Sequence, residues 1–397
     1  MPSPDASPTL LCTITGDDRP GLTSGLFHEV APLGAEVLDV EQVVVRGRLT
    51  LAVLFRTGDE AGLRAHVQDV CGRLGVAVRM DSGTGDNRRR RTGRAAVVVI
   101  GAPLTAAAVA AVSECIAAHG ANIDRIQRLA RSPVTTIEFD CSGADVERLR
   151  AELGLVSHEL GVDVAVAPGG LARQGRRLVV MDVDSTLIQD EVIELLADHA
   201  GRREEVARIT EAAMRGELDF AESLRARVAV LAGLPESVLP AVRRSVRLTP
   251  GARTLVRTLK RLGMHVAVVS GGFIEVVQPI ADELGIDHAR ANRLEIVDGV
   301  LTGRVVGTIV DRREKANALR EFAALEDLPL SRTVAIGDGA NDLDMLALAG
   351  LGVAFNAKPL VQAQADTTVN VPYLDAVLFM LGITREEVEE ADLDGAS

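Results

Sequence analysis

Hydrophobic and polar positions alternate along the first part of the chain in a pattern that predicts short strands and amphipathic helices. The pattern runs as a strand from Thr9 to Thr15, a helix from Pro20 to Leu33, a strand from Glu36 to Val45, a turn at Arg46-Gly47-Arg48, a strand, a helix and a last short strand. Alternating segments bounded by turn residues are typical of strands with one buried face. The pattern predicts a βαββαβ domain over residues 1–82.

Residues 95–168 repeat this order, which indicates an internal duplication. The expected elements are a strand ending at Ile100, a helix from Leu104 to His119, a hairpin at Ser132-Pro133, a helix from Ala144 and a strand from Val162 to Ala167. Leu33-Gly34-Ala35 aligns with His119-Gly120-Ala121 at an offset of 86 positions. Between the copies, residues 83–94 contain glycines and four consecutive arginines. This composition favours a solvated linker, and the alternative is a grip on an acidic partner.

The remainder of the chain, residues 178–384, alternates short apolar strands with helices. This order is typical of a parallel sheet covered on both faces. Strands are expected at Leu178–Met181, His265–Val269 and Thr333–Ile336. A polar helical stretch at about 190–246 separates the first two strands, and a helix from Pro250 to Leu262 is expected with Thr249 as its N-cap. The acidic tail, residues 385–397, is expected to fray.

Charge and composition exclude several classes of function. The chain has 56 acidic and 43 basic residues, a formal net charge of −13, so its surface repels nucleic acid and anionic membranes. Aromatic residues make up 2% of the chain, too few for the stacking platforms of single-strand binders. The stretch from Ala95 to Val112 has about the length of a membrane span, but Pro103 favours a strand, a turn and a helix instead. We expect no nucleic acid and no membrane as partners.

The cysteines and the start of the chain bear on location. The chain has four cysteines, widely spaced and without the pattern of a zinc site: Cys12, Cys71, Cys115 and Cys141. We interpret them as reduced, structural thiols. The opening sequence, MPSPDASP, lacks the basic and then apolar order of a secretory signal. These features predict a cytoplasmic protein.

Three predicted strands end in residues suited to a metal ion and a phosphate. Asp182 and Asp184 follow the first strand, and such close carboxylates imply a hard cation, although an aspartate-rich turn is the alternative. Ser270 and Gly271 follow the second strand, where they form either an anion cradle or a simple glycine turn. The third strand is followed by Gly337-Asp338-Gly339-Ala340-Asn341-Asp342, whose acidic oxygens can complete an Mg²⁺ site.

Lys315 strengthens this interpretation because lysine is rare in this chain. Only three lysines occur, and Lys315 begins the helix that precedes the third strand. Its compact ammonium can neutralise both a phosphate and a nucleophilic carboxylate. The alternative is an ordinary lysine on a helix surface.

These four motifs, in this order, resemble those of the haloacid dehalogenase (HAD) superfamily of aspartyl phosphotransferases. The resemblance rests on DVDSTLIQDE from Asp182, MRGELDFAESLRARV from Met214, VSGGF from Val269, Lys315 and GDGANDLDML from Gly337. It covers residues 178 to about 380 and implies an α/β fold class, a HAD-like Rossmannoid parallel sheet with a helical cap. Within the superfamily, the chain is similar to the members that hydrolyse O-phospho-L-serine in the last step of L-serine biosynthesis. Two alternatives stay open, another HAD small-molecule phosphatase or phosphotransferase and a non-enzymatic amino-acid-sensing protein.

The resemblance implies roles for the residues at the strand ends. Asp182 would be the nucleophile, Asp184 the general acid and base, and Lys315 a third catalytic group. The implied cofactor, Mg²⁺, would be held by Asp182, Asp184 or the backbone carbonyl of Val183, Asp338 and, through water, Asp342. The implied contacts of the phosphoryl group are Ser270, Gly271, Lys315 and Asn341.

The resemblance also implies a substrate site in the cap. Glu191 would bind the ammonium of the substrate and Arg227 its carboxylate, while Met214 and Phe220 would exclude water. The alternatives are a first-turn helix acid for Glu191 and a solvated surface arginine for Arg227.

The two N-terminal repeats resemble ACT domains, amino-acid-binding regulatory modules with a ferredoxin-like α+β fold. The first repeat has the typical loop from Thr15 to Leu22, which gives six candidate regulatory residues: Gly16, Asp17, Asp18, Arg19, Pro20 and Gly21. In the second repeat, Gly101-Ala102-Pro103-Leu104 replaces this loop, so ligand binding there stays open. The resemblance implies L-serine or another amino acid as the ligand, and a homodimer.

Overall fold

A computed structural model describes residues 8–85, 92–170, 175–214 and 219–394. The chain divides into two compact units, residues 1–90 and 91–397. The first repeat forms the first unit, and the second repeat and the C-terminal domain together form the second. Part of the predicted basic linker, including its arginine run, lies outside the described residues.

The first repeat has the predicted βαββαβ order. Its elements are β1 (Pro8–Asp17), α1 (Leu22–Val30), β2 (Glu36–Val45), β3 (Arg48–Arg56), α2 (Glu60–Leu74) and β4 (Ala77–Thr84). The sheet order is β2-β3-β1-β4 with antiparallel pairing throughout. Alternation in β3 buries Leu49, Leu51, Val53 and Phe55 in one core with residues of both helices. Strand β4 continues two residues beyond the expected boundary at residue 82.

The second repeat has the same topology. Its elements are β5 (Ala95–Gly101), α3 (Ala106–Ala118), β6 (Asn122–Ala130), β7 (Thr135–Ser142), α4 (Val146–Leu160) and β8 (Asp163–Pro168). The sheet order, β6-β7-β5-β8, is that of the first repeat. The core residues of α1 and α3 match at the predicted offset of 86, Leu22, Leu26 and Val30 against Ala108, Val112 and Ile116. The structure therefore confirms the duplication.

The apolar stretch from Ala95 to Val112 forms β5, a turn and the first part of α3, as predicted. Among the described residues, no helix has the length and apolar character needed to cross a membrane. All four cysteines are free, and Cys115 is the one that is only partly buried. Burial raises the pKa of the Cys12 thiol to about 12, which favours the protonated, unreactive form.

The C-terminal domain, residues 178–394, is built on a seven-stranded sheet. Its strands are β9 (Leu178–Met181), β10 (His265–Phe273), β11 (His288–Val297), β12 (Val300–Val306), β13 (Thr333–Gly337), β14 (Leu351–Phe355) and β15 (Thr367–Val369). The order is β12-β11-β10-β9-β13-β14-β15, parallel except for the edge strand β12. The strands that precede the predicted motifs, β9, β10 and β13, are therefore neighbours at the centre of the sheet.

Helices fill the connections between these strands. They are α5 (Val192–His199), α6 (Arg203–Met214), α7 (Phe220–Ala229), α8 (Val238–Ser245), α9 (Ala252–Arg261), α10 (Ile274–Leu284), α11 (Arg312–Leu325), α12 (Leu343–Leu348), α13 (Pro359–Gln362), α14 (Val377–Met380) and α15 (Arg385–Asp394). Helices α5 to α8 form the polar insertion between β9 and β10, as the sequence predicts. The remaining helices connect or follow the later strands.

Two expectations about this domain were wrong. Helix α9 begins at Ala252, and its N-cap is Gly251 in a left-handed conformation rather than Thr249. Thr249 instead donates its backbone N–H to the carbonyl of Leu187. The acidic end does not fray over its described part, because α15 buries Val388 and Arg385 pairs with Asp375 at 3.0 Å.

The second repeat is joined to the C-terminal domain along β8 and β15. Thr367 Oγ1 donates to the carbonyl of Val164 at 2.8 Å, and Thr368 Oγ1 donates to Asp163 at 2.6 Å. The backbone and side-chain nitrogens of Asn370 each donate to Asp163 at 2.8 Å. Val98, Ile100 and Leu129 of the second repeat belong to the main hydrophobic core of the C-terminal domain, the cluster of buried side chains that also contains Val179 and Val334. The two parts of the second unit thus share a core.

Candidate active site

The carboxyl ends of β9, β10 and β13 bring the predicted motifs together. Met181 is in register with Val268 on one side and with Ile336 on the other. The backbone N–H of Asp182 donates to the carbonyl of Ile336 at 2.9 Å, which fixes the point where the chain leaves the sheet. Asp182, Ser270 and Asp338 therefore emerge from three adjacent strands at one edge, the edge where parallel sheets carry their sites.

Three carboxylates and one ammonium form the floor of a site at this edge. One oxygen from each of Asp182, Asp338 and Asp342 lies within 4.8 Å of the others. Lys315, fully buried on α11, places Nζ 2.7 Å from Asp182 Oδ1 and 2.7 Å from Asp342 Oδ1. Burial lowers the pKa of Lys315, but the two carboxylates outweigh it and raise the pKa above its ordinary value. Lys315 is therefore a permanent cation at this floor.

The negative charge that Lys315 leaves unbalanced creates a site for a divalent cation. Burial, with the charge of Asp342, raises the pKa of Asp182 well above its ordinary value. Burial and the same neighbour raise the pKa of Asp338 to about 6. One lysine does not balance three carboxylates, and carboxylate oxygens are the ligands that Mg²⁺ prefers. The donor set therefore fits the expected metal ion.

Asp184 lies beside this cluster and is held by different groups. Ser270 Oγ donates to Asp184 Oδ2 at 3.1 Å, and the backbone N–H of Val192 donates to Oδ1 at 2.9 Å. Burial and the charge of Glu191 raise the pKa of Asp184 to about 7. The backbone carbonyl of Val183, the alternative metal ligand, accepts the N–H of Ile188 at 3.0 Å and keeps a second lone pair.

The Ser-Gly-Gly segment lies within β10, just before its end at Phe273, and Gly272 has little room for a side chain. A Cβ on Gly272 would lie 2.8 Å from Asp184 Oδ2 and 2.9 Å from Ser270 Oγ. Asn292, buried on β11, donates its side-chain N–H to the carbonyl of Gly271 at 2.8 Å and accepts the N–H of Val310 at 2.9 Å. Sequence reasoning missed Asn292, and its signal is a lone asparagine in an otherwise strand-like segment.

A cavity of about 480 Å³ opens above this floor and reaches the cap helices. Glu191, Phe220, Arg227 and Asn341 line it together with Asp182 and Asp184. The side chain of Met214 lies outside the described residues. Lys358, which directly precedes α13, also lines the cavity and was missed, although its rarity as one of three lysines is a signal.

The two predicted cap residues have opposite charge; Glu191 is exposed and Arg227 is half-buried. Glu191 accepts a hydrogen bond from Ser185 Oγ at 3.0 Å, and desolvation by the surrounding protein atoms raises the pKa of its carboxyl. Burial lowers the pKa of the Arg227 guanidinium, while the charges of Glu191 and Asp184 oppose that change. The cavity therefore offers an anion and a cation beyond the acidic floor.

The candidate regulatory loop of the first repeat is exposed from Asp17 to Gly21, whereas Gly16 is buried. Gly21 caps α1 with a φ of 88°, a left-handed conformation that favours glycine. Arg19 donates to the backbone carbonyl of Leu74, and Asp17 pairs with Arg48. Gly16 lies within β1 against the side chain of Val76, where a Cβ would lie 2.5 Å from Cγ1. The exposed part of the loop is thus held to α2 and β3 by the side chains of Arg19 and Asp17.

The sheet, the cap and the acidic strand ends define a hydrolase with the HAD-type fold. The haloacid dehalogenase-like hydrolase family matches residues 179–347, and the ACT domain family matches residues 8–81 and 94–167.

Similar proteins narrow this class. The chain is 61% identical to the phosphoserine phosphatase of Streptomyces coelicolor over 388 residues, 97% of this chain and 95% of the relative. It is 52% identical to phosphoserine phosphatase SerB2 of Mycobacterium tuberculosis over 393 residues, 98% of this chain and 96% of the relative. The crystal structure of a probable phosphoserine phosphatase from Vibrio cholerae shares 38% identity at a TM-score of 0.57, covering 72% of this chain and 86% of that one. The chain belongs to the phosphoserine phosphatase family.

Proposed function

We propose that this enzyme hydrolyses O-phospho-L-serine to L-serine and inorganic phosphate through an aspartyl-phosphate on Asp182. The observation that carries the proposal is the single cavity that is lined both by the acidic floor and by Glu191 and Arg227. A phosphomonoester with an ammonium and a carboxylate needs this combination of charges. The substrate named for the relatives agrees with it.

In the first half of the reaction, an oxygen of Asp182 attacks phosphorus while the bond from phosphorus to the serine oxygen breaks. Asp184, held by Ser270 and Val192, gives its proton to the leaving oxygen. In the second half, Asp184 takes a proton from the water that attacks the aspartyl-phosphate. This step releases phosphate and restores both carboxyl groups to their starting states.

The phosphoryl oxygens need positive and hydrogen-bonding partners during transfer. Lys315, Ser270 and the backbone N–H of Gly271 supply them at the carboxyl ends of the strands. Asp182, Asp338 and Val183 or Asp184 would hold Mg²⁺, with Asp342 orienting its water shell. When bound, Mg²⁺ supplies charge neutralisation to the transferring phosphoryl group. Asn341 is assigned to a contact with the phosphoryl group or with the rest of the substrate.

The cap selects the rest of the substrate. Arg227 binds the carboxylate through its planar fork, and Glu191 binds the ammonium. Phe220, whose ring lies 3.4 Å from the position of a Cβ on Gly271, covers the phosphate cradle and excludes water. Met214 shares this role in the proposal.

Replacement of the nucleophile tests the reaction. Asp182→Asn keeps the size of the side chain and removes its nucleophilic oxygen, so phosphate release from phosphoserine should fall by at least about 10³-fold. Circular dichroism checks that the variant folds. Asp344→Asn, an exposed aspartate of α12, is the matched control. Activity retained in Asp182→Asn would rule out the nucleophile assignment.

Replacement of the cap arginine tests the substrate. Arg227→Ala should raise KM for phosphoserine by about 10- to 100-fold, because a charged hydrogen bond is lost. p-Nitrophenyl phosphate has no carboxylate and should be affected far less. An equal loss with both substrates would contradict the assignment of Arg227.

We infer in addition that the first repeat binds an amino acid, L-serine in the first instance, and contributes to a homodimer. The loop from Gly16 to Gly21, exposed from Asp17 onward, supports the first inference. The second is supported by β2, an edge strand on which Val43 and Val45 are 55% and 61% exposed. Phosphate release measured with and without L-serine tests the regulation.

A further inference from the structure

A second cavity lies between the second repeat and the C-terminal domain, and we name it the seam cavity. Its volume is about 620 Å³, larger than the active-site cavity and within the range of small-molecule sites. Glu147 and Arg150 of α4 line it from the second repeat. Arg177, Arg332 and Asp366 line it from the C-terminal domain and the segment leading into it.

The seam cavity is at the opposite end of the sheet from the active site. Arg177 directly precedes β9, Arg332 directly precedes β13, and Gly350 directly precedes β14. Asp182 and Asp338 follow the carboxyl ends of β9 and β13. None of the residues that line the seam cavity lines the active-site cavity. A ligand here would therefore bind without competing for the substrate site.

The two acids of the seam cavity are already paired with one arginine. Arg150 lies 3.2 Å from Asp366 and 3.1 Å from Glu147, and it donates twice to the carbonyl of Val166. Asp366 also accepts the backbone N–H of Gly352 at 2.7 Å. These contacts hold Arg150 in place and satisfy its charge.

Arg332 differs from Arg150 because its guanidinium forms no hydrogen bond and no ion pair with any residue in the described ranges. Its Nη1 lies close to the backbone of Gly175, 2.6 Å from the position that a Cβ there would take. An arginine that is partly buried and without a protein partner is a ready ligand for an oxyanion, which its planar fork matches.

We propose that the seam cavity binds a small oxyanion, a carboxylate or a phosphate group, through Arg332. Two sources of this chemistry are relevant to an enzyme of the proposed function, the released inorganic phosphate and the carboxylate of a free amino acid. The proposal goes beyond that function, because it concerns a second site at the junction of a regulatory repeat and the catalytic domain. Binding there would link the second repeat to the strands that carry Asp182 and Asp338.

The test counts binding sites on the full-length chain by isothermal titration. One arm uses inorganic phosphate and the other uses L-serine and other amino acids singly. In at least one arm, Arg332→Gln should bind one equivalent per chain fewer than the wild type. Arg332→Lys keeps the charge without the fork and should retain that equivalent with about tenfold weaker affinity. Arg244→Gln, at an exposed arginine of α8, should leave every stoichiometry unchanged.

Equal stoichiometry and affinity for wild type and Arg332→Gln in both arms would overturn the proposal. Hydrolysis of phosphoserine is measured separately, and Arg332→Gln should retain the wild-type rate because Arg332 is outside the catalytic machinery. If the wild type itself lacks hydrolysis, the proposed function fails while the binding count still decides the seam cavity. Unfolding temperatures without ligand verify that each variant is folded.

Discussion

The two repeats have one topology but different surroundings. In the first repeat, β1 alternates, and its outer face leaves Leu11 36% exposed. In the second, every residue of β5 is buried. One face of β5 packs on its own helices through Val97 and Val99, and the other joins the core of the C-terminal domain through Val98 and Ile100.

The difference shows how a duplicated module is divided between two tasks. Outer positions of the first repeat contact solvent, whereas Asp163 and Leu129 at such positions of the second contact the C-terminal domain or its core. The second repeat is also the copy whose loop lacks the residues typical of a ligand site. It has become part of the catalytic unit, and the first repeat keeps the free surface.

The largest effect should come from the core that the second repeat shares. Leu129→Ala removes a fully buried side chain and should lower the free energy of unfolding by about 2–5 kcal/mol. Val43→Ala, at the same position of the first repeat by the offset of 86, should cost less than about 0.5 kcal/mol. Urea unfolding followed by circular dichroism measures both. Equal costs would show that the two outer faces are equivalent.

The buried carboxylate between β8 and β15 should have the next largest effect. Asp163→Ala leaves the donors of Thr368 and Asn370 without an acceptor, which should cost about 1–3 kcal/mol of unfolding free energy. Ala77→Asp creates the corresponding carboxylate on the exposed face of the first repeat and should be nearly neutral. The same urea experiment measures both variants. If Asp163→Ala leaves the free energy of unfolding unchanged, these hydrogen bonds do not stabilise the junction.

A smaller effect is expected on self-association. Val45→Lys places a charge on the exposed edge strand of the first repeat and should weaken the proposed homodimer by about tenfold. Light scattering across a concentration series measures the dissociation. Arg131→Lys, at the same position of the second repeat, is the control and should not change it. A dimer unaffected by Val45→Lys would place the interface elsewhere.

The smallest effect should be a change with pH. Burial raises the pKa of Asp163 above its ordinary value of 3.8, despite hydrogen bonds from Thr368 and Asn370. Its contribution to stability is therefore full below that ordinary value and is lost as the pH rises through the folded-state pKa. Asp163→Asn lacks this titration, so the stability advantage of the wild type over the variant should shrink from pH 4 to pH 7. A stability advantage that grows with pH would contradict the raised pKa of Asp163.

The rarity of lysine singled out Lys315. Local pattern predicted the strand ends because consecutive residues encode a strand, its end and the polar group that follows. It did not predict Asn292, whose two partners are 21 and 18 positions away. It also missed the order of α15, whose Asp392 pairs with Arg257 and Arg261 from α9. Such contacts depend on which distant elements become neighbours, and short-range periodicity carries no information on that.

The apolar run from Ala95 to Val112 shows a second limit of short-range periodicity. Its uniform hydrophobicity has the length of a membrane span, and periodicity alone does not separate that case from burial on both faces of a strand. The turn at Pro103 was the residue-level signal that decided correctly.

The contact of β8 with β15 also constrains how this enzyme can be shortened. A truncation that starts at Leu178 would strip the cover from the terminal strand of the catalytic sheet, and uncovered strands recruit neighbouring molecules into aggregates. A fragment that starts near Thr92 keeps that cover and is the better starting point for crystallisation or for engineering a minimal catalyst.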